Sequence, residues 1–213
     1  MKKAISMLLL LAMFAGMSCT AFAASDKAEL ETYTSKNLES FSIYFDTFVM
    51  LFASAAEEPV DIVATTGKIS YDENSFNYGD SGIGVISGGA YSENGTVTLG
   101  MGTGIGENED YWYVSLTFSP EASIDTIMAN SLAFILAASE AEPDAEDFDE
   151  QLAAAAEIAD FLFSSDEPVA FESEGMVLLH KVLGGGTHLL ALDSVEYYDE
   201  FYYNDIENYI VAD

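Results

Sequence analysis

The sequence predicts an α+β fold: an antiparallel β-sheet of about six to eight strands, with a long N-terminal helix and an inserted helical pair packed on it. Three observations predict it. Apolar residues recur at three-to-four spacing over residues 25–58 and again over 119–167, and elsewhere in the body of the chain the period falls to two. Glycines gather in the period-two stretches, where they mark tight turns. Pro59, Pro120, Pro143 and Pro168 stand where the pattern changes.

The first helix is expected from Ser25 to about Glu58, because Leu30, Tyr33, Asn37, Phe41, Tyr44, Phe48, Phe52 and Ala55 trace one face. Ser25 is placed to cap it, and Asp26, Glu29 and Glu31 offset the positive end of the helix dipole. Its second half, Phe48 to Ala56, is apolar on nearly every side, which predicts burial. At ~1.5 Å per residue such an element would run about 50 Å, so a break near Ser40 is expected.

From Val60 to Phe118 the alternation predicts a meander of strands. Asn94 and Gly95 tolerate positive φ and suit a two-residue turn between a strand over Gly84–Tyr91 and one from Thr96. In the next strand Trp112, Val114, Leu116 and Phe118 alternate with Tyr113, Ser115 and Thr117. Gly100, Gly102, Gly104 and Gly106 fall at every second position, which strips one face of side chains. A packed aromatic ring or helix, or a shallow ligand groove, would fill that stripe.

Ser119-Pro120-Glu121 reads as a helix start, with Ile124, Ile127, Met128, Leu132, Ile135 and Leu136 facing inward. Asp144 opens a second helix with Phe148, Leu152, Ala155, Ala159 and Leu162 inward. Gly184-Gly185-Gly186 then predicts a hairpin whose strands, apolar on both faces, belong in the middle of a sheet covered on both sides. The tail from Tyr197 onward carries enough aromatic residues to pack.

Ahead of this domain, Lys2 and Lys3, the 14-residue apolar run Ala4 to Met17 and the small residues ending Ala21-Phe22-Ala23 have the three parts of a secretory signal. Cleavage after Ala23 is expected, leaving residues 24–213 as a single α+β domain with no membrane span, since the run falls short of the ~20 residues that cross a bilayer. Lipidation of Cys19 is disfavoured, because Gly16 and Ser18 stand where a lipobox carries Leu and a Gly or Ala. A secreted or cell-envelope location follows, with the only cysteine lost to the signal, so that stability rests on packing.

Without Lys2 and Lys3 the chain has four lysines and no arginine against 37 acidic residues, a formal charge of −33. Binding phosphate backbones depends on Lys and Arg, so nucleic acid is excluded as a partner and anionic ligands are disfavoured.

No catalytic residue is nominated. Gly79-Asp80-Ser81-Gly82 spells the neighbourhood of a serine-protease nucleophile, but both histidines come later in the chain and Ile83 replaces a further glycine. The glycines also miss the dinucleotide fingerprint, so no cofactor is expected, with calcium the one candidate. For metal, His180 and His188 share a face if all three glycines form the hairpin loop and oppose each other if two do, with Asp193 or Glu174 as companions. Asp72 and Asn74, and Glu107, Glu109 and Asp110, bunch oxygen ligands in loops without the EF-hand pattern. Tyr197, Tyr202 and Tyr203 form a candidate ligand surface, because tyrosine offers flat apolar area with a polar edge.

The expectation is an exported, non-catalytic binding or interaction protein of the bacterial cell envelope or extracellular space, with a protein or glycan partner. A secreted carboxylate-dependent hydrolase and a calcium-stabilised module are the alternatives.

Overall fold

A computed structural model describes residues 41, 44–63, 70–78, 84–104, 112–164, 166–173, 176–202 and 208–211. Helix α1 covers residues 44–55; the strands are β1 (Ser70–Tyr78), β2 (Gly84–Tyr91), β3 (Val97–Gly104) and β4 (Trp112–Phe118). Helices α2 (Ile124–Ala138) and α3 (Phe148–Leu162) follow, then β5 (Val169–Ser173), β6 (Met176–Leu183), β7 (Thr187–Ser194), the short helix α4 (Val195–Phe201) and β8 (Asn208–Val211). The eight strands form one sheet in the order β1-β2-β3-β4-β7-β6-β5-β8. Every pair is antiparallel except β5 with β8 at the edge. The expected α+β class, antiparallel sheet and inserted helical pair are all present.

Pairing makes the two faces explicit, since opposed residues in a ladder share a side. The first face carries Val97, Leu99, Met101, Leu116, Phe118, Leu178, Leu190 and Leu192, which merge into one buried cluster with Phe45, Phe48, Phe134 and Leu136 from the helices. Thus α1, α2 and α3 all lie on this side. Helix α2 is buried nearly all round, down to Thr126, Asn130 and Ser131, because α1, α3 and the sheet surround it.

On the second face Val177, Leu179, Leu189 and Ala191 are covered by α4 through Tyr198. Both faces of β6 and β7 are therefore enclosed, as their doubly apolar sequences predict, and the pair sits inside the sheet. All three glycines form the loop, with Val182 opposite His188, and Gly185 and Gly186 both take positive φ.

Five expectations are corrected. The first helix of the pair is capped by Ser123, whose hydroxyl accepts from Thr126 N at 3.1 Å, and Ser119-Pro120-Glu121-Ala122 instead forms a turn closed by Ala122 N on Ser119 O. The turn directs the chain back across the sheet before the helix begins. The second helix starts at Phe148, after two successive turns over residues 142–148 that absorb its acidic lead. The loop between β2 and β3 is longer than two residues: Ser92 N bonds Val97 O, Gly95 N bonds Ser92 O, and Gly95 alone takes positive φ, 71°. An acidic side chain described below draws the loop into that form. Helix α1 is not buried all round, since Met50 is 67% exposed and Leu51 46%. Finally, the tail adds a parallel strand to an otherwise antiparallel sheet: β5 and β7 run the same way, and the crossover through α4 brings β8 in along that same direction.

Helix α2 ends without glycine. Glu140 takes the left-handed conformation, φ 52°, and Ala141 N reaches back to Leu136 O at 3.0 Å, the bond pattern that glycine ordinarily provides after a helix. The residues expected to extend the N-terminal helix upstream of Phe41, the 79–82 segment and Gly106 lie outside the described residues.

Candidate functional site

The second face over β2 to β4 is floored by small residues. Lateral rows can be read from the register: Asp193–Tyr113–Gly102, then Ala191–Ser115–Gly100–Gly89, then Leu189–Thr117–Thr98–Tyr91. Glycine at two adjoining strands of the middle row leaves that part of the floor without side chains, and Ser115, Thr98 and Thr117 surround it with hydroxyls. The glycines also permit a tight sheet: a Cβ on Gly89 would stand 2.3 Å from Leu99 O, and one on Gly100 would stand 3.0 Å from Ser115 Oγ and 3.8 Å from the Tyr113 ring. An aromatic ring thus borders the stripe.

Two aromatic residues flank the floor at opposite ends. Tyr91, at the end of β2, is 73% exposed. Tyr113 packs on Tyr197 of α4 with ring centres 5.0 Å apart, and Tyr197 in turn meets Tyr202 at 6.3 Å. Of the tyrosines named from sequence, Tyr197 therefore borders this face. Tyr202 lies further along, against Tyr198 and beneath Lys181 Nζ at 5.8 Å, and Tyr203 is outside the described residues. Tyr91 and Tyr113 are additions from the structure; their common signal in the sequence is an aromatic side chain on the same face as the glycines.

Asp193 is opposite Tyr113 in the β4–β7 ladder and close enough to Tyr197 to act on it electrostatically. It is fully buried, and among the described residues neither carboxyl oxygen has a hydrogen-bond partner. Burial pushes its pKa well above the ordinary aspartate value, so the neutral acid is favoured. Tyr197 is also raised, first by burial and then by Tyr202, Tyr113 and Asp193, which places these four groups in one electrostatic neighbourhood.

His180 and His188 lie on the first face, opposite Asp193, because their positions differ from it in parity along the ladder. The three-glycine loop brings their nitrogens together, His180 Nε2 to His188 Nδ1 at 3.0 Å. The rings are 5.3 Å apart at their centres with planes 17° from parallel. A ring nitrogen stands little more than an ångström from its ring centre, so those distances put both nitrogens on the line joining the rings. That is the geometry of an in-plane N–H···N hydrogen bond. Two imidazoles sharing a zinc at ~2.0–2.1 Å in tetrahedral geometry would hold their nitrogens about 3.3 Å apart, further than they stand here. Among the described residues, no three metal-ligating side chains converge.

Phe163 packs on His180 at 4.3 Å. Burial and the adjacent His188 lower the His180 pKa to about 4, against the opposing influence of Asp166 and the Leu162 carbonyl. Asp72 and Asn74 fall on β1, a strand and not a loop; Glu107, Glu109, Asp110 and Glu174 are outside the described residues.

A second buried aspartate organises the β2–β3 loop. Asp61 Oδ2 accepts from Ser92 Oγ at 2.7 Å, Thr96 Oγ1 at 2.6 Å and Thr96 N at 3.2 Å, and Oδ1 accepts from Asn94 N at 3.1 Å. Its own backbone is held by α2: Asp61 N donates to Thr126 Oγ1, and Asn130 Nδ2 donates to Asp61 O. Burial would raise the Asp61 pKa, but the Ser92, Thr96 and Asn94 hydrogen bonds outweigh it and the value is lowered. The carboxylate accepts four hydrogen bonds from the β2–β3 loop while the backbone is tied to α2, which makes this a structural fastener.

Among the described residues, no helix is long and apolar enough to cross a membrane. Compared with protein-family models, with curated proteins and with solved structures, the chain matches none.

Proposed function

We propose that this is an exported, non-catalytic binding protein whose ligand, a neutral glycan, lies on the glycine-floored second face of the sheet between Tyr91 and Tyr113. The observation that carries the reading is the juxtaposition on that face of bare backbone, threonine and serine hydroxyls, and an exposed tyrosine at its end. A sugar ring presents flat C–H surface to an aromatic ring and hydroxyls to polar side chains, and this face offers both. A floor without side chains lets a flat ligand approach the backbone closely. The large negative charge argues for a neutral ligand over an anionic one. Export is supported by the signal-like first 23 residues.

The test is binding of purified residues 24–213 to a glycan array, followed by titration of the hits with wild type and Tyr91→Ala. Stacking on one tyrosine contributes ~0.5–1.5 kcal/mol, so the variant should bind roughly two- to tenfold more weakly at an unchanged melting temperature. No bound neutral glycan, or equal affinity in the variant, refutes the proposal.

A further inference from the structure

We propose that helix α4 is a proton-gated strap, docked on the second sheet face while the Asp193 carboxyl is neutral and released when that carboxyl ionises. The inference starts from a buried carboxyl that has no hydrogen-bond partner among the described residues. Asp193 is fully enclosed, yet no described group donates to or accepts from its carboxyl. A polar group buried without a partner is unfavourable, and a charged one far more so, whereas an apolar residue of similar size would cost nothing there.

Among the described residues, nothing beside the carboxyl compensates the ionised form. In its lateral row Asp193 lies between Tyr113 on β4 and Val177 on β6, and Glu172 on β5 is one strand further in the same row. Tyr197 of α4, within electrostatic reach of Asp193, packs on Tyr113 and is followed by Tyr202. The only described lysine, Lys181, is on this face but further along β6, over the Tyr202 ring. The nearest acid in the row has the same sign, and the aromatic groups cannot neutralise a carboxylate.

What ionisation would displace is set by the chain. Asp193 directly precedes Ser194, whose hydroxyl accepts both from Tyr197 N at 3.2 Å, starting α4, and from Trp112 N at 3.2 Å, tying that start to β4. Helix α4 is only seven residues long and is pinned by the buried Tyr198. Hydrating the carboxylate requires lifting Tyr197, and α4 with it; β8, beyond α4, is held to β5 by a four-residue parallel pairing at the sheet edge. Release would uncover Val177, Leu179, Leu189 and Ala191. Ala191 shares a row with Ser115 and Gly100, so the exposed strip would continue the glycine floor. The gating itself does not depend on whether that floor binds a ligand.

The sign follows from the environment. The docked pKa is raised above that of the undocked aspartate, so docking is fully favoured below the ordinary aspartate value and lost as pH rises through the docked one.

Hydrogen–deuterium exchange on the purified chain, corrected for the intrinsic pH dependence of exchange, tests this from about pH 4 to about pH 9, short of the ordinary tyrosine value. Protection over 195–202 and 208–211 should fall at least tenfold across the range in wild type, while β6 and β7 hold. In Asp193→Asn and Asp193→Leu, which cannot ionise, it should stay flat. Constant protection of the segment in wild type overturns the proposal, as does an equal loss in either variant that folds. If neither variant folds, the wild-type series decides alone.

Discussion

Replacing Asp61 by alanine removes one carboxylate and four hydrogen bonds at once, so its effect can be worked out from the donors left behind. Ser92 is buried, and its hydroxyl also accepts from Val97 N, so losing Asp61 leaves its proton without an acceptor. The Thr96 hydroxyl is only partly buried, and the Asn94 and Thr96 amides lie in a loop that water can reach. An orphaned buried donor costs ~1–3 kcal/mol, and a lost hydrogen bond with solvent access ~0.5–1.5 kcal/mol. Ser92 contributes the first kind once and Thr96 and Asn94 the second three times, giving about 3–7 kcal/mol in total. For a domain of this size that lowers the melting temperature by roughly 10–20 °C. Asp61→Asn should cost less, because one oxygen keeps the position that accepts three bonds while its amide group opposes Asn94 N. Denaturant unfolding of wild type and both variants measures the difference. The wild-type advantage over Asp61→Ala should also fade in acid, since the Asp61 pKa is held down and the stability it confers is lost as pH falls through that value. A loss within ~1 kcal/mol at neutral pH, or a gap that survives full protonation, would refute the reasoning.

Two further outcomes are expected from the same physics. His180 is 1% exposed with a pKa lowered to about 4, so the folded state resists a proton that the unfolded chain accepts near 6.5. Stability should therefore decline as pH falls from about 6.5 toward 4, by up to roughly 3 kcal/mol. Unfolding at neutral and acid pH should show that decline reduced in His180→Leu, and an identical decline in the variant would count against this assignment. Glycine positions should separate sharply by location. Gly89→Ala drives a methyl into the Leu99 carbonyl and should cost more than ~3 kcal/mol or prevent folding, whereas Gly184→Ala meets nothing within 4 Å and should stay within ~0.5 kcal/mol, as circular dichroism melts would report.

Much of the fold was legible because its periodicities are strong. The alternation Trp112, Val114, Leu116, Phe118 can be satisfied only by a strand with one face inward, and the doubly apolar runs around the three glycines only by strands enclosed on both sides. Boundaries were less legible. Ser119-Pro120 has the composition of a helix start, yet Ser123 caps α2, because where a chain enters a helix depends on what the preceding turn must reach. The left-handed Glu140 shows the same limit, since a helix can end without its usual glycine when the following segment is packed.

The candidate site was half visible. Spacing placed the glycines on one face and His180 with His188 on one side once the loop length was known, but it did not say which groups would oppose them. Asp193 appeared as a companion for the histidines, and the parity of the β6–β7 ladder sends it to the other side of the sheet. Asp61 carried no signal, because its partners lie 31 to 69 residues away.

The sequence by itself determined the class of fold, the central position of the glycine hairpin and the strongly acidic charge, because each follows from local periodicity or composition. Only the tertiary structure decided that three helices share one face while α4 covers the other. It alone set Tyr91 and Tyr113 at opposite ends of a glycine floor and enclosed Asp193 without a hydrogen-bond partner among the described residues. The physical reason is that strand order, register and the partners of a buried carboxyl are properties of pairs of distant residues. Neither the period nor the composition of any single segment contains them.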